Sequence, residues 1–422
     1  MGKTKILKGN ICFSIDKDTI IAKEKAYLVW HNNTVDGVFE KLPRKYRKEK
    51  VTDYGDCMII PGLTDLHMHA PQYTFRSLGM DMELLEWLNT NTFPEEARYD
   101  DLGYAKKAYA VFAHNMKRSA TTRACIFATC HRKATEVLMD RMEDTGLQTM
   151  VGKVNMDRDA PFYLCEKSAR DSLDATRKWL RRTEGRYRNV VPILTPRFTP
   201  SCTDELLKGL GDLRGSMDLP VQSHLSENPA EIELVRKLCP WSDFYGDTYD
   251  KSNLMGPKTI MAHCVYSGEA EQQLMKARGV YIAHCPESNA NLASGIAPVR
   301  KYLNDGQKIG LGSDIAGGTT ESIFRAMVLA IQLSKIRWRY VDSSLEPLSA
   351  AEAFYLATKG GGSFFGNVGS FEKGYEADVL VINDKRLLGP DRKTVRQRLE
   401  RIFYLSDKCE IKAKYAAGRR IF

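Results

Sequence analysis

The stretch DLHMHAPQ, residues 65–72, sets two histidines one residue apart and a glutamine three residues further on. In an extended chain, residues i and i+2 point to the same face. His67 and His69 can therefore grip one ion if this segment is a strand, histidine being the usual nitrogen ligand of a transition metal. The competing reading is a pair of exposed polar residues, and the surrounding chain decides between them. The pair ends an apolar, strand-like run, IIPGLTDLHMH (59–69), and similar runs recur: TTRACIFATCH (121–131), QTMVGKVNMD (148–157), VVPILTPRF (190–198), LPVQSHLSE (219–227), TIMAHCV (259–265), GVYIAHCP (279–286) and KIGLGSD (308–314). Helical patterns separate most of them, among them YAKKAYAVFAHNMKRS (104–119), ATEVLMDRMEDTG (134–146) and EAEQQLMKARG (269–279).

Strand alternating with helix predicts a parallel sheet, and this number of repeats over about 250 residues predicts an α/β fold closed as a (β/α)8 TIM-like barrel. Function in such a barrel sits at the C-terminal ends of the strands. The uncommon polar residues fall there: His67, His69, Arg197, His224, His263, His284 and Asp314, which include five of the chain's 8 histidines. His31, His114 and His131 read as structural.

The flanks have a different pattern. Residues 1–60 (AYLVWHN, DGVFEKL) and 367–422 (GSFEKGYEADVLVIND, KAKYAAGRRIF) read as short strands. They are expected to pair into a small β-sandwich around a hydrolase barrel at 61–366. Residues 70–103, rich in aromatics and acids, form a long connection after the first strand, as a lid or pocket wall would.

Composition excludes several classes. The 422 residues are 43% hydrophobic and 27% charged, an ordinary soluble balance. No apolar run approaches a membrane span, the N-terminus lacks a signal-peptide core, and Ile6 breaks the myristoylation pattern. The 10 cysteines are scattered without a CxxC and read as buried thiols in a reducing, cytoplasmic setting. Cys264 and Cys285 stand beside histidines that explain the site better than the thiols do. The net charge of +9 comes from runs such as KLPRKYRKEK (41–50) and RKWLRRTEGRYR (177–188). Without aromatic interleaving these do not read as a nucleic-acid surface.

Ligands converging from several strands make a metal site. His67, His69, His224 and Asp314 supply three imidazoles and a carboxylate, a set suited to zinc or iron(II). An open position would hold a water whose pKa falls to about 7. Glu227, three residues after His224, is placed to shuttle its proton; the alternative is a carboxylate favoured by the helix start at NPAEIELV. His263 could bind a metal or hydrogen-bond the attacked centre, the latter being preferred; His284 has a supporting polar role or is a satisfied strand histidine. Binuclear barrels need a bridging group, usually a carboxylated lysine ending strand four. Arg197 stands there and Lys153 lies mid-strand, so one ion is expected.

PGLTDLHMHAPQ (61–72), SHLSE (223–227), MAHC (261–264), AHCPESN (283–289) and LGSDIAGG (311–318), in this order, resemble the amidohydrolase superfamily. MELLEWLNTNTFPEEARY (82–99), VGKVNMD (151–157), TPRFTPSC (195–202) and QSHLSENPAEIELV (222–235) resemble its guanine deaminase family more narrowly. The likeness runs through nearly the whole chain. It implies hydrolysis of guanine to xanthine and ammonia, with a metal-activated water attacking C2. It also implies that Gln72 and Arg197 hydrogen-bond the purine and Phe198 packs beside it. Glu227 would pass a proton to the ring nitrogen, and Asp314 would accept the water's proton. A homodimer is implied as well. Ala120, where glycine is expected, and Cys264 depart from the pattern away from this machinery. The H-x-E with P-C-x-x-C signature of the small zinc deaminases is absent. Two rivals stand beside this reading: an amidohydrolase acting on another heterocycle, such as a pterin, cytosine or a cyclic amide, and a metal-binding interaction protein without activity.

Overall fold

The computed structural model describes residues 4–387 and 389–422. Its strands, in chain order, are β1 (Thr4–Ser14), β2 (Ile20–His31), β3 (Thr34–Phe39), β4 (Val51–Pro61), β5 (Leu63–His69), β6 (Thr121–Phe127), β7 (Gln148–Gly152), β8 (Val154–Asn155), β9 (Val190–Pro192), β10 (Thr195–Pro196), β11 (Val221–Leu225), β12 (Thr259–His263), β13 (Tyr281–His284), β14 (Lys308–Leu311), β15 (Val379–Asn383), β16 (Glu410–Ala416) and β17 (Arg419–Arg420). β5, β6, β7 and β9 pair in parallel, as do β11, β12, β13 and β14. A bridge from Leu194 to Val221 links the two sheets at one seam. At the other, the Asp314 N–H donates to the His67 carbonyl (2.8 Å) and the His69 N–H to the Ile315 carbonyl (2.9 Å). Helices such as Leu102–Arg118, Arg132–Thr145 and Asp204–Met217 lie between the strands, giving a TIM-barrel-like α/β fold.

Two of the expected strands are broken. The third splits at Lys153, whose fully buried ammonium donates to the Glu166 carboxylate (2.7 Å) and the Val154 carbonyl (3.0 Å); a buried charge must find such partners. The fourth splits between Pro192 and Pro196, which have no N–H to give a ladder.

The chain's two ends meet in one sheet of order β17-β16-β15-β4-β1-β2-β3. Pairing between the termini is as expected, and hydrogen bonding joins the strands of both ends into one continuous seven-stranded sheet. The reason is β4, which pairs with β1 on one side and β15 on the other. Leu7, Ile11, Leu28, Trp30, Val379, Val381 and Ala413 form its core. Arg123 on β6 ties this sheet to the barrel through Asp378 (2.7 Å) and Glu376 (2.6 Å).

An inner cluster made of Leu66, Cys125, Ile260, Ala262, Tyr281, Ala283 and Cys285 fills the barrel. Met68, Met261 and Ile282 belong instead to the large cluster shared with the helices. Alternation along β13 thus puts His284 on the same side as Ile282, away from the interior. On β5, Leu66 is interior, and strict alternation would turn His67 outward. A register shift between Asp65 and Met68 corrects this; an extra residue of this kind re-aims side chains.

Candidate active site

The side chains at the C-terminal ends of β5, β11 and β12 converge with Asp314, which follows β14. His67 Nε2 lies 3.2 Å from Asp314 Oδ1, and His69 Nε2 lies 3.5 Å from the same oxygen. His69 Nε2 and His224 Nε2 face each other at 3.2 Å. His224 comes from a regular strand, with Gln222 on the same side. His263 does not: alternation would place it with Met261, but its φ of 72° breaks the strand and swings the ring inward. Asp314 (φ 46°) and Ser226 (φ 47°) are also left-handed non-glycine residues. Such backbone costs about 1–3 kcal/mol each and gathers where geometry serves a site. Behind the cluster, Gly312 permits close packing: a Cβ there would meet Cys285 Sγ at 2.8 Å and His67 Cβ at 2.9 Å.

A hydrogen bond fixes the His224 imidazole. The His224 Nδ1–H donates to the Arg197 carbonyl at 2.6 Å, which leaves the Nε2 lone pair aimed at the cluster. Burial holds His67 below its ordinary value and His69 and His224 well below it. Burial pulls Asp314 upward, but His67, His263 and His69 together hold it well below the usual carboxylate range. His67 Nδ1 and Nε2, His69 Nδ1 and His263 Nε2 are buried without a hydrogen-bond partner.

Imidazole nitrogens facing one another beside a carboxylate oxygen are costly when buried and unpartnered and suited to a cation. Ligand atoms of His67, His69 and His224 lie within 4.8 Å of one another, as do those of His67, His263, Cys285 and Asp314. The donor set fits a metal ion. The Cys285 thiol, pushed well up by burial, donates to the Ala283 carbonyl at 3.5 Å. Lys153 is turned to Glu166 and is no part of the cluster.

Glu227 stands beside it, Oε2 lying 3.4 Å from His263 Nε2 and Oε1 accepting from Ser294 at 2.9 Å. Burial pushes Glu227 up to about 7. Glu231 accepts the Glu227 N–H (3.0 Å), and a capping box at Asn228 starts the helix Pro229–Leu238. The helix start and the placement of Glu227 are thus one device. His263 Nδ1 donates to Asn289 Oδ1 (2.8 Å); burial lowers its pKa, but Glu227 and Asp314 raise it further, so the net shift is upward. His284 is buried, with Nδ1 unpartnered and its pKa pushed down by burial to about 3, and it does not line the cavity.

The cavity over the cluster is lined by Gln72, Arg197, Phe198, His69, His224, Glu227, His263 and Asp314 on the barrel side. Leu84, Trp87, Leu88 and Leu292 close it. The first three belong to the long connection 70–103, which is a string of short helical turns (Leu84–Trp87, Leu88–Thr92, Phe93–Ala97). A larger cavity of about 890 Å³ lies between the barrel and the terminal sheet, lined by residues such as Arg118, Phe324 and Lys412. None of the converging imidazoles reaches it. Sequence reasoning missed Glu96, Leu292, Ser294 and Asp65; the last accepts the N–H groups of His67 (3.2 Å) and Ser313 (3.0 Å). The acidic pair in FPEE was the one legible signal.

The sequence pattern of the amidohydrolase family matches residues 58–421. A guanine deaminase of Dictyostelium discoideum is 36% identical, the alignment covering 100% of this chain and 95% of that protein. One from Escherichia coli is 34% identical over 88% of this chain and 85% of the other. The crystal structure of guanine deaminase from C. acetobutylicum, with guanine in its active site, superposes with a TM-score of 0.96 at 46% identity, covering 100% of both chains. The chain belongs to the amidohydrolase family and, within it, to the guanine deaminases.

Proposed function

We propose that the protein hydrolyses guanine to xanthine and ammonia. The observation that carries this is the joint placement of a cation-ready donor cluster, a proton-carrying carboxylate and a donor-rich cavity wall under one apolar lid. His67, His69, His224 and Asp314 would hold one zinc ion per chain, iron(II) being the alternative. When bound, such an ion supplies Lewis acidity that makes water a nucleophile near neutral pH.

The remaining work belongs to side chains. Arg197 has only donors to offer and meets the 6-carbonyl of guanine; Gln72 offers both kinds of group, and Phe198 packs on the ring. C2 then faces the cluster. Asp314 accepts the proton of the attacking water. Glu227, raised to about 7, protonates the ring nitrogen beside C2, and its value suits a group that must both take and give a proton near neutrality. Asn289 occupies the His263 Nδ1–H. A proton on Nε2 therefore makes the ring an imidazolium, which Glu227 and Asp314 favour, and this donor stabilises charge developing at C2. Asp314 then gives its proton to the amino group, Glu227 takes back the proton of the new hydroxyl, and collapse expels ammonia and leaves xanthine.

The pattern of strands and sheets supports a closed barrel at 61–366 with a terminal unit from 1–60 and 367–422. The family likeness supports a homodimer, and cysteines that are free among the described residues are in keeping with a cytoplasmic setting. No described helix is long and apolar enough to cross a membrane. Ammonia release from guanine, cytosine, adenine and a cyclic amide tests the function. Guanine alone should respond strongly; release from another base with guanine inert would overturn the reading.

A further inference from the structure

Gln72 and Arg197 come from separate segments, yet both are held by one side chain that does not line the cavity. Glu96, fully buried, accepts from Gln72 Nε2 at 2.9 Å through Oε1 and from Arg197 Nη1 at 2.6 Å through Oε2. The amide of Gln72 is fixed at its other end, where Oε1 accepts the Ala316 N–H at 3.0 Å. The Arg197 guanidinium also lies 5.0 Å from the centre of the Phe93 ring. Phe93 and Glu96 share the short helix Phe93–Ala97, in the segment that supplies Leu84, Trp87 and Leu88 to the cavity.

We infer that Glu96 is a positioning residue that sets selectivity for a 6-oxopurine, acting through Arg197 and Gln72. The guanidinium presents its donors in a rigid planar fork. Anchoring one edge on Glu96 fixes where the remaining N–H groups point. The same carboxylate decides which way the Gln72 amide faces, because its Nε2 must meet an acceptor. Glu96 also neutralises a buried cation whose other neighbour, the substrate carbonyl, carries no charge. Without it, Arg197 would have to seek another anion, and Asp314 and Glu227 are the carboxylates lining that cavity. The selectivity for an acceptor at position 6 therefore rests on a residue that never touches the purine.

This inference rests on the guanine reading, and the test separates the two. Calorimetric affinities of the zinc-loaded enzyme are measured for hypoxanthine, which carries the 6-oxo group, and for purine, which lacks it. Zinc content and thermal midpoint are recorded alongside. If the parent does not favour hypoxanthine, the guanine reading falls. If it does, Glu96→Gln should weaken hypoxanthine at least tenfold while purine changes less than threefold, with KM for guanine rising more than kcat falls. Glu96→Asp keeps the charge but cannot span both partners, and should lie between. It also serves if Glu96→Gln does not fold. Equal loss for both ligands, or no loss for either, overturns the assignment.

Discussion

Buried charge is handled in opposite ways in two parts of this molecule. At the junction of barrel and terminal sheet, the buried cations Arg123, Arg398 and Lys414 each have partners. Arg123 meets Asp378 and Glu376, Arg398 meets Asp384 (2.6 Å) and Asp56 (2.8 Å), and Lys414 donates to the carbonyls of Met116, Lys117 and Ser119 at 3.0–3.3 Å. At the strand ends, both ring nitrogens of His67, Nδ1 of His69 and Nε2 of His263 are buried without a hydrogen-bond partner. Arg123, Arg398 and Lys414 are buried as the strand-end histidines are, so burial alone does not mark function. What sets the strand ends apart is a cluster of facing imidazole nitrogens left unsatisfied: the junction charges hold two units together, and the strand-end donors are the ones proposed to hold the ion.

The contrast breaks first if the strand ends need no cation. Chelation, or Asp314→Asn, should drop turnover to background, and zinc or iron(II) should restore the chelated parent. Elemental analysis should give one ion per active chain; two would overturn the mononuclear proposal. The next largest effect is on Glu227→Gln, which should keep its metal and lose turnover by about a hundredfold or more. Near-normal turnover would return Glu227 to the role of a helix-start carboxylate.

At the junction, Arg123→Met leaves the Asp378 carboxylate buried and unpaired. It should destabilise the fold by about 3–5 kcal/mol in denaturant titration, with kcat/KM for guanine unchanged below the transition. A large kinetic effect would erase the distinction between the regions. Arg197→Met should keep its metal and lose guanine kcat/KM by an amount worth about 1–3 kcal/mol, the cost of an unmade buried hydrogen bond, mainly through KM.

The smallest effect concerns pH. Burial lowers Lys414 to about 7 from an ordinary 10.5. Between those values the unfolded chain binds more protons than the folded one, so stability rises with pH across that window, by at most about 1.4 kcal/mol per unit. Below about 7 both states are charged and the contribution is flat. Urea midpoints at pH 7, 8 and 9 for the parent and Lys414→Met should diverge with pH; parallel curves would show that the three carbonyls keep the ammonium charged.

Much of this was legible in the chain. The alternation of strand and helix, and the fall of His67, His69, His224, His263 and Asp314 at strand ends, are local patterns that any reader can count. Glu96 was not legible, because its meaning lies in a partner 101 positions away. Nor was the single terminal sheet, whose continuity depends on β4 pairing on both edges.

The sequence by itself determined the fold class, the donor types and their spacing, because residue chemistry and strand period are properties of a few neighbouring residues. Only the tertiary structure decided which way those donors face. His67 points inward through a register shift against β6, and His263 through a left-handed backbone that abandons the strand. His284, the last residue of a regular strand, stays with Ile282 and misses the cavity. Period-two alternation fixes relative direction along one strand, but its phase is set by how that strand meets its neighbours.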